Sequence, residues 1–220
     1  RFYDADGREK SFTLEHALSI LEEYAARNAS GKYRAVASKI IAGVPKGYVS
    51  FRSSRDACQN DQIQHQNRRE MRAYRVFSSW LNHHDARRGN TLDMLIEKEN
   101  GWFLKQYLID FGSCLGSHNM YGKYAEAGHT YVIDFWEIVK SWASLGLYKK
   151  PYYRRVMPFS PAVGYITSDV FNPGKWKPMI PNYAFDNMTN RDAFWAAKIV
   201  MSFTDEQVKA LVEAGQLSIP

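Results

Sequence analysis

Asn82-His83-His84-Asp85-Ala86-Arg87-Arg88-Gly89-Asn90, then Lys98-Glu99-Asn100-Gly101, then Asp110-Phe111-Gly112: these three polar segments decide how the chain is read. Two apolar runs, Leu92 to Glu97 and Trp102 to Ile109, separate them. Asn-Gly between such runs signals a β-hairpin, because both residues tolerate positive φ. A hairpin brings its open ends together. Asp85 and Asn90 precede the first strand and Asp110 ends the second, so the three polar groups should converge with no tertiary assumption beyond the turn. Two carboxylates and an amide oxygen are hard ligands that suit Mg²⁺. Arg87 would add a cation beside them. The plainer alternative is that Asp85 caps a turn, Asn90 supports it and Asp110 merely ends a strand.

Upstream of this stretch, Gln64 to Leu81 reads as a long helix. Met71, Tyr74, Phe77 or Ser78, and Leu81 recur at helical spacing, with Arg68, Arg69, Arg72 and Arg75 mostly off that stripe. The stripe reads as core packing. Residues 48 to 62 are polar and loop-like. Tyr33 to Ile41 reads as a strand, stopped by Gly43, Pro45 and Gly47. Before it, Thr13 can cap a helix with Leu14, Leu18, Leu21 and Ala25 on one stripe, ended by Asn28-Ala29-Ser30-Gly31.

Downstream, residues 112 to 130 are rich in Gly, Ser and His and read as a long loop. Tyr131 to Leu147 reads as an aromatic-rich buried helix. The proline-rich residues 151 to 188 should wander over the surface, with Trp176 packing that segment to the core. Thr189 and Thr204 each read as helix N-caps; Thr204 with Gln207 fits a capping box, and Gly215 should end the last helix. The class is α+β.

The chain has 220 residues, enough for one large domain or two small ones. Apolar residues make up 45% and charged residues 24%, which excludes a disordered tail, a collagen-like chain and a coiled-coil rod. The longest apolar run, about Ile40 to Val44, is far short of the roughly 18 residues that a spanning helix needs, so no membrane span is expected. The net charge of +6 favours anionic partners, whether nucleotides, phosphorylated substrates, nucleic acid or acidic lipid surfaces, and does not choose among them. Cys58 and Cys114 make neither a disulfide framework nor a zinc signature. A reducing, cytoplasmic compartment is the default expectation. The sequence starts at Arg1 without a signal-peptide pattern, consistent with an excised piece.

Taken together, the loop, the hairpin and the final triplet resemble the catalytic loop and metal-binding Asp of the protein-kinase-like superfamily. That pattern is H-x-D-x-x-x-x-N, a hairpin, then D-F-G. The resemblance implies an Mg-ATP-dependent phosphotransferase acting on a hydroxyl acceptor, protein or small molecule. Asp85 would be the base, and Asn90 and Asp110 would hold Mg²⁺ against the phosphates. Arg87 stands where protein kinases carry a Lys. His83, Phe111 and Gly112 would be structural support. Tyr33 to Ile41 would be the last strand of the small lobe. Ala42 to Gly47 would be the hinge where adenine docks, with Ile41 and Ala42 as cofactor contacts. Residues 1–47 would then be a small-lobe remnant and 48–220 the carboxy-terminal lobe, mostly helical, with the rest of the small lobe upstream of Arg1.

The pattern also departs from that of protein kinases. His84 replaces the usual Arg, Asn90 and Asp110 stand 20 positions apart, and no A-P-E follows. The run is closer to the atypical branches and is similar to a group of bacterial kinase-like proteins. No Gly-rich phosphate loop or V-A-I-K strand is present, and Gly31-Lys32 is not a Walker motif. Two other classes compete. One is a catalytically inactive pseudokinase-like scaffold, against which an intact Asp85, Asn90 and Asp110 argue. The other is a basic nucleic-acid-binding domain built on Arg68, Arg69, Arg72 and Arg75; against it, the aromatics fall mostly on apolar stripes. His118 and His129 read as surface residues, and Ser113, Ser117 and Tyr121 as loop positions without a specific signal.

Overall fold

The structure, a computed structural model, describes residues 2–3, 8–25, 27–33, 39–55, 58–118, 121–153, 158, 163–166 and 171–214. It mixes helices and sheets, as the α+β reading expects. The chain divides into two compact units, Arg1–Ala42 and Gly43–Pro220.

The first unit holds a two-stranded antiparallel pair, β1 (Phe2–Tyr3) and β2 (Glu9–Lys10), and the helix α1 (Leu14–Tyr24). Thr13 caps α1 as expected, its hydroxyl accepting from the His16 amide. No α1 residue is buried, so its apolar stripe is not core. Of the strand expected over Tyr33 to Ile41, residues 34–38 lie outside the described residues. Tyr33 makes a single bridge to Arg27, and 39–41 form no strand.

The second unit opens with a correction. Val44–Gly47, expected to break structure and act as a hinge, is a strand, β3. It pairs antiparallel with β4 (Thr91–Lys98), which pairs with β5 (Gly101–Leu108). Pro45 is tolerated because β3 is an edge strand, and the register shifts between Pro45 and Gly47. Gly43, at φ 112°, approaches the Leu95 carbonyl so closely that a Cβ would sit 2.5 Å from that oxygen.

The β4–β5 hairpin forms where it was read, with Lys98 opposite Gly101 and Thr91 opposite Leu108. Its turn is shifted by one residue. Glu99 and Asn100 are the central pair, and only Gly101 takes positive φ, at 123°. That matches a type I turn closed by Gly, in which the Asn needs no left-handed conformation.

The long helix expected over 64–81 is shorter. A 3₁₀ turn at His65–Asn67 precedes α2 (Arg69–Trp80). Tyr74 joins Phe51, Ala86, Trp176, Ala184 and Phe185 in one buried cluster, with Met71, Phe77 and Phe171 packed against it. Tyr74 and Phe185 meet edge to face at 5.6 Å between ring centroids. Trp176, 1% exposed, packs its segment to the core as expected, and Ala184 and Phe185 of the proline-rich segment, expected on the surface, are buried with it.

After β5 come the short pair β6 (Ser117–His118) and β7 (Tyr121–Gly122), then α3 (Phe135–Ala143). The expected buried helix is instead exposed. Phe135 and Trp136 are each 67% exposed and Trp142 82%, and no α3 residue is buried. Apolar residues at helical spacing mark a face, not the presence of something to cover it. The chain closes with α4 (Tyr183–Asp186), α5 (Asn190–Val200) and α6 (Asp205–Ala214). Thr189 and Asp192 form a full capping box on α5. Thr204 exchanges hydrogen bonds with Gln207 at the start of α6. Gly215 lies outside the described residues.

Candidate functional site

Helix α2 ends at Trp80, and the chain turns through Asn82, a non-glycine residue at φ 46°, into the His83–Asn90 loop. Three devices hold that loop. Ala86, 2% exposed, sits in the core cluster and nails down its middle. The Met179 amide donates to the His84 carbonyl at 2.6 Å, and the Asn182 side chain reaches the Ala86 carbonyl at 3.5 Å. At the far end a 3₁₀ turn, Arg88–Asn90, feeds β4, where the buried Thr91 hydroxyl donates to the Arg88 carbonyl at 2.6 Å and accepts from the Val49 amide at 2.8 Å.

Asp85 and Asn90 meet directly. The Asn90 side-chain amide donates to the Asp85 carbonyl at 2.8 Å and to Asp85 Oδ2 at 3.0 Å. With its nitrogen so engaged, Asn90 has Oδ1 left to offer as a ligand. The other Asp85 oxygen, Oδ1, lies 2.7 Å from Arg87 Nε as an ion pair but receives no aligned hydrogen bond among the described residues. The atom itself is buried, with a lone pair left unbonded.

The hairpin delivers Asp110 to the same end. Its ladder continues one step past Thr91 and Leu108, the Ile109 amide donating to the Asn90 carbonyl at 3.0 Å. Asp110 follows at once, exposed and at φ 57°. A left-handed aspartate is uncommon and costly, and such strain clusters at functional positions. Its Oδ1 accepts weakly from the Gly112 amide at 3.4 Å.

His83 joins the two loops. It is 1% exposed, its Nδ1 lies 2.7 Å from the Ser113 hydroxyl, and its ring packs 5.5 Å from that of Phe111. Burial pushes its pKa down, while the Asp85 and Asp110 carboxylates pull it back. His84 points elsewhere, into an aromatic cage with His118 at 5.1 Å and Tyr124 at 5.3 Å. Burial, with Lys123 and two further imidazoles, pushes it down to about 3, so it stays neutral. His118 and His129, read as surface residues, are both half-buried; His129 stacks on Tyr152 at 5.1 Å.

Thus Asp85, Arg87 and Asn90 are in direct contact, His83 packs on Phe111, and the ladder places Asp110 one residue past the Ile109–Asn90 bond, with the Gly112 amide on its carboxylate. Ile41 and Ala42 belong to the first unit, Ile41 half-buried and Ala42 exposed. Sequence reasoning missed Met179, Asn182, Thr91 and the buried Lys123. These act over long separations, and no local signal marks them. The arginines at the start of α2 and along it have partners: Arg68 pairs with Asp61, Arg69 lies over the Trp195 ring, Arg72 grips Asp192 through both Nε and a terminal nitrogen, and Arg75 donates to the Gly174 and Trp176 carbonyls.

Among the described residues, no group of three or more His, Cys, Asp or Glu side chains is placed to hold a metal. The available donors are one carboxylate, Asp110, and one amide oxygen, on Asn90. Mg²⁺ typically takes one or two protein oxygens and completes its octahedron with phosphates and water. The pair therefore fits an Mg²⁺ that arrives on a nucleotide, and it does not fit a resident structural metal. No described helix is long and apolar enough to cross a membrane. The chain matches no family model, no curated protein and no solved structure.

Proposed function

We propose that the second unit is the carboxy-terminal lobe of a kinase-like phosphotransferase, moving the γ-phosphoryl group of Mg-ATP to a hydroxyl acceptor. The observation that carries the reading is the Asn90 bridge. One side chain binds Asp85 at 2.8 and 3.0 Å, while its backbone carbonyl takes the amide of the residue before Asp110. A cap or strand end needs no such convergence. The D-F-G resemblance and the left-handed Asp110 point the same way.

In this reading the acceptor hydroxyl gives its proton to Asp85 Oδ1 as its oxygen bonds to the γ-phosphorus. The bond from that phosphorus to the β–γ bridging oxygen breaks, and ADP leaves with the electron pair. Arg87 pairs with Asp85 and sets its orientation. Asn90 fixes the other carboxylate oxygen, so the base presents one defined lone pair. Asn90 and Asp110 would hold Mg²⁺, which supplies charge neutralisation at the phosphates. Catalysis of this kind is mostly positioning and electrostatic stabilisation.

The test is calorimetric binding of ATP with Mn²⁺, as a probe for Mg²⁺, together with ADP release from Mg-ATP. Wild-type chain, D110A and D85N are compared. The reading expects divalent-dependent ATP binding that D110A abolishes and D85N retains. Equal binding by wild type and D110A at every Mn²⁺ concentration would overturn it.

A further inference from the structure

Lys123 is the one lysine among the largest fully buried described side chains, at 1% exposed. It follows β7, and its backbone is fixed on both sides: its amide donates to the Gly116 carbonyl at 2.7 Å, and its carbonyl accepts from the Tyr165 amide at 2.8 Å. Its ammonium group donates to two backbone carbonyls, those of Asn82 and Ser113. Among the described residues no carboxylate forms an ion pair with it, and burial pushes the neighbouring Cys114 thiol up to about 11, so that thiol stays neutral. A buried ammonium without a counter-ion is an expensive way to satisfy two carbonyls, and burial is the main cause that pushes its pKa down to about 8.

The two carbonyls are what make the placement informative. Asn82 leads into the loop that carries Asp85, and Ser113 follows the segment that carries Asp110. The same two segments are joined by the Leu115 amide to the Leu81 carbonyl at 2.9 Å and by His83 to Ser113 at 2.7 Å. Lys123 reaches both from a third segment. Next to it Gly164, at φ 67°, lies so close that a Cβ there would come within 2.1 Å of the Lys123 amide nitrogen, so the backbone of Lys123, bridged to Gly164, has no slack.

We infer that Lys123 is a positioning residue, whose buried ammonium ties the loop bearing the base to the loop bearing the metal ligand and so sets their separation. The inference rests on the phosphotransferase reading for its consequence, but not for the clamp itself. Without the clamp, Asp110 drifts relative to Asp85 and Asn90, and the divalent site loosens. Outer partners of metal ligands, when removed, typically cost 10–100-fold in metal affinity or activity.

Two variants and two readouts test it. K123M keeps the length and removes every donor. K123R keeps the charge and misplaces the donors. Amide hydrogen exchange reads the clamp, at Cys114, Leu115 and Ser117, with α5 as internal control. Mn²⁺ titration in the presence of ATP, with ADP release, reads its consequence. K123M should speed exchange at those three amides at least tenfold while α5 is unchanged. It should raise the Mn²⁺ concentration for half-saturation by about 10–100-fold, and lower kcat more than it changes KM for ATP. K123R should fall between the two, and it carries the test should K123M not fold. Unchanged exchange at the three amides overturns the clamp. Faster exchange with unaltered Mn²⁺ affinity and kcat leaves a purely structural lysine and overturns the positioning role. A wild-type chain that binds no Mn²⁺-ATP overturns the phosphotransferase reading instead, with the clamp still judged by exchange.

Discussion

Replacing Asp192 with Asn should destabilise the second unit by about 3 kcal/mol at neutral pH, at the low end of what breaking a buried pair costs. Asp192 is 3% exposed, and its oxygens lie 2.7 Å from Arg72 Nε and 3.0 Å from its terminal nitrogen. The same carboxylate accepts from the Thr189 amide and hydroxyl at 2.8 and 2.7 Å. Asn can keep part of that cap, so the loss is mainly the charge. Arg72 is still 19% exposed and recovers some hydration, which places the loss at the low end. The Arg72 guanidinium holds the Asp192 carboxyl well below the ordinary carboxylate range. A depressed carboxylate pKa contributes stability that is complete above the unfolded value, near 4, and is lost as pH falls toward the native value. Thermal unfolding by circular dichroism, for wild type, D192N, R72M and the double variant, reads both effects. For a domain this size ~3 kcal/mol corresponds to a Tm lower by about 6–12 °C. The D192N deficit should shrink steadily below pH 4, and the double variant should fall well short of the summed losses. A D192N midpoint within about 2 °C of wild type at pH 7 would refute the reasoning, and so would a deficit that ignores pH.

Four further outcomes follow from the same contacts. D85N should lower kcat by at least about 100-fold with little change in ATP affinity, read by ADP release and calorimetry. S113A leaves His83 Nδ1 buried without its partner, 2.7 Å away in the wild type, and should cost about 1–3 kcal/mol in urea unfolding. W176F removes the indole donor that reaches Asn82 Oδ1 at 2.9 Å; it should cost a similar ~1–3 kcal/mol and speed exchange at the His83 and His84 amides. G164A should force the Lys123 backbone aside and reduce divalent affinity, whereas G31A, with open space around its Cβ position, should change Tm far less and leave Mn²⁺ titration as in wild type.

What could be read from the sequence was what is local. The hairpin follows from a turn signal and is present in the structure; short spacing puts Asn90 on Asp85, and the ladder that ends at Asn90 runs on to the residue before Asp110. Helix starts at Thr13, Thr189 and Thr204 were equally legible, because a cap is a contact three residues long. The failures share a cause. Val44–Gly47 contains Pro and Gly and read as a break, yet β4 offers it an edge partner 51 residues away in sequence, Val44 opposite Leu95. The pattern of Phe135–Ala143 gave an apolar face but no information about cover. Trp176 was read as packing its segment to the core, as it does, but not that its indole would hold Asn82. Lys123 is invisible for the same reason. Nothing near it in sequence says that two carbonyls from separate loops will close on its ammonium.

Ala86 has a consequence beyond holding a loop. A methyl group of the aromatic core sits one position after Asp85, the proposed base, so the loop has no hinge of its own and cannot behave as a lid. Core volume and the aim of Asp85 then become a single variable. A substitution such as F185L, far from any ligand, should reduce turnover at temperatures where the chain is still fully folded. Activity, measured below the melting transition, would report on packing before any unfolding probe does. Selection for catalysis at this loop would then act on core side chains such as Tyr74, Phe185 and Trp176 as strongly as on the acidic residues themselves.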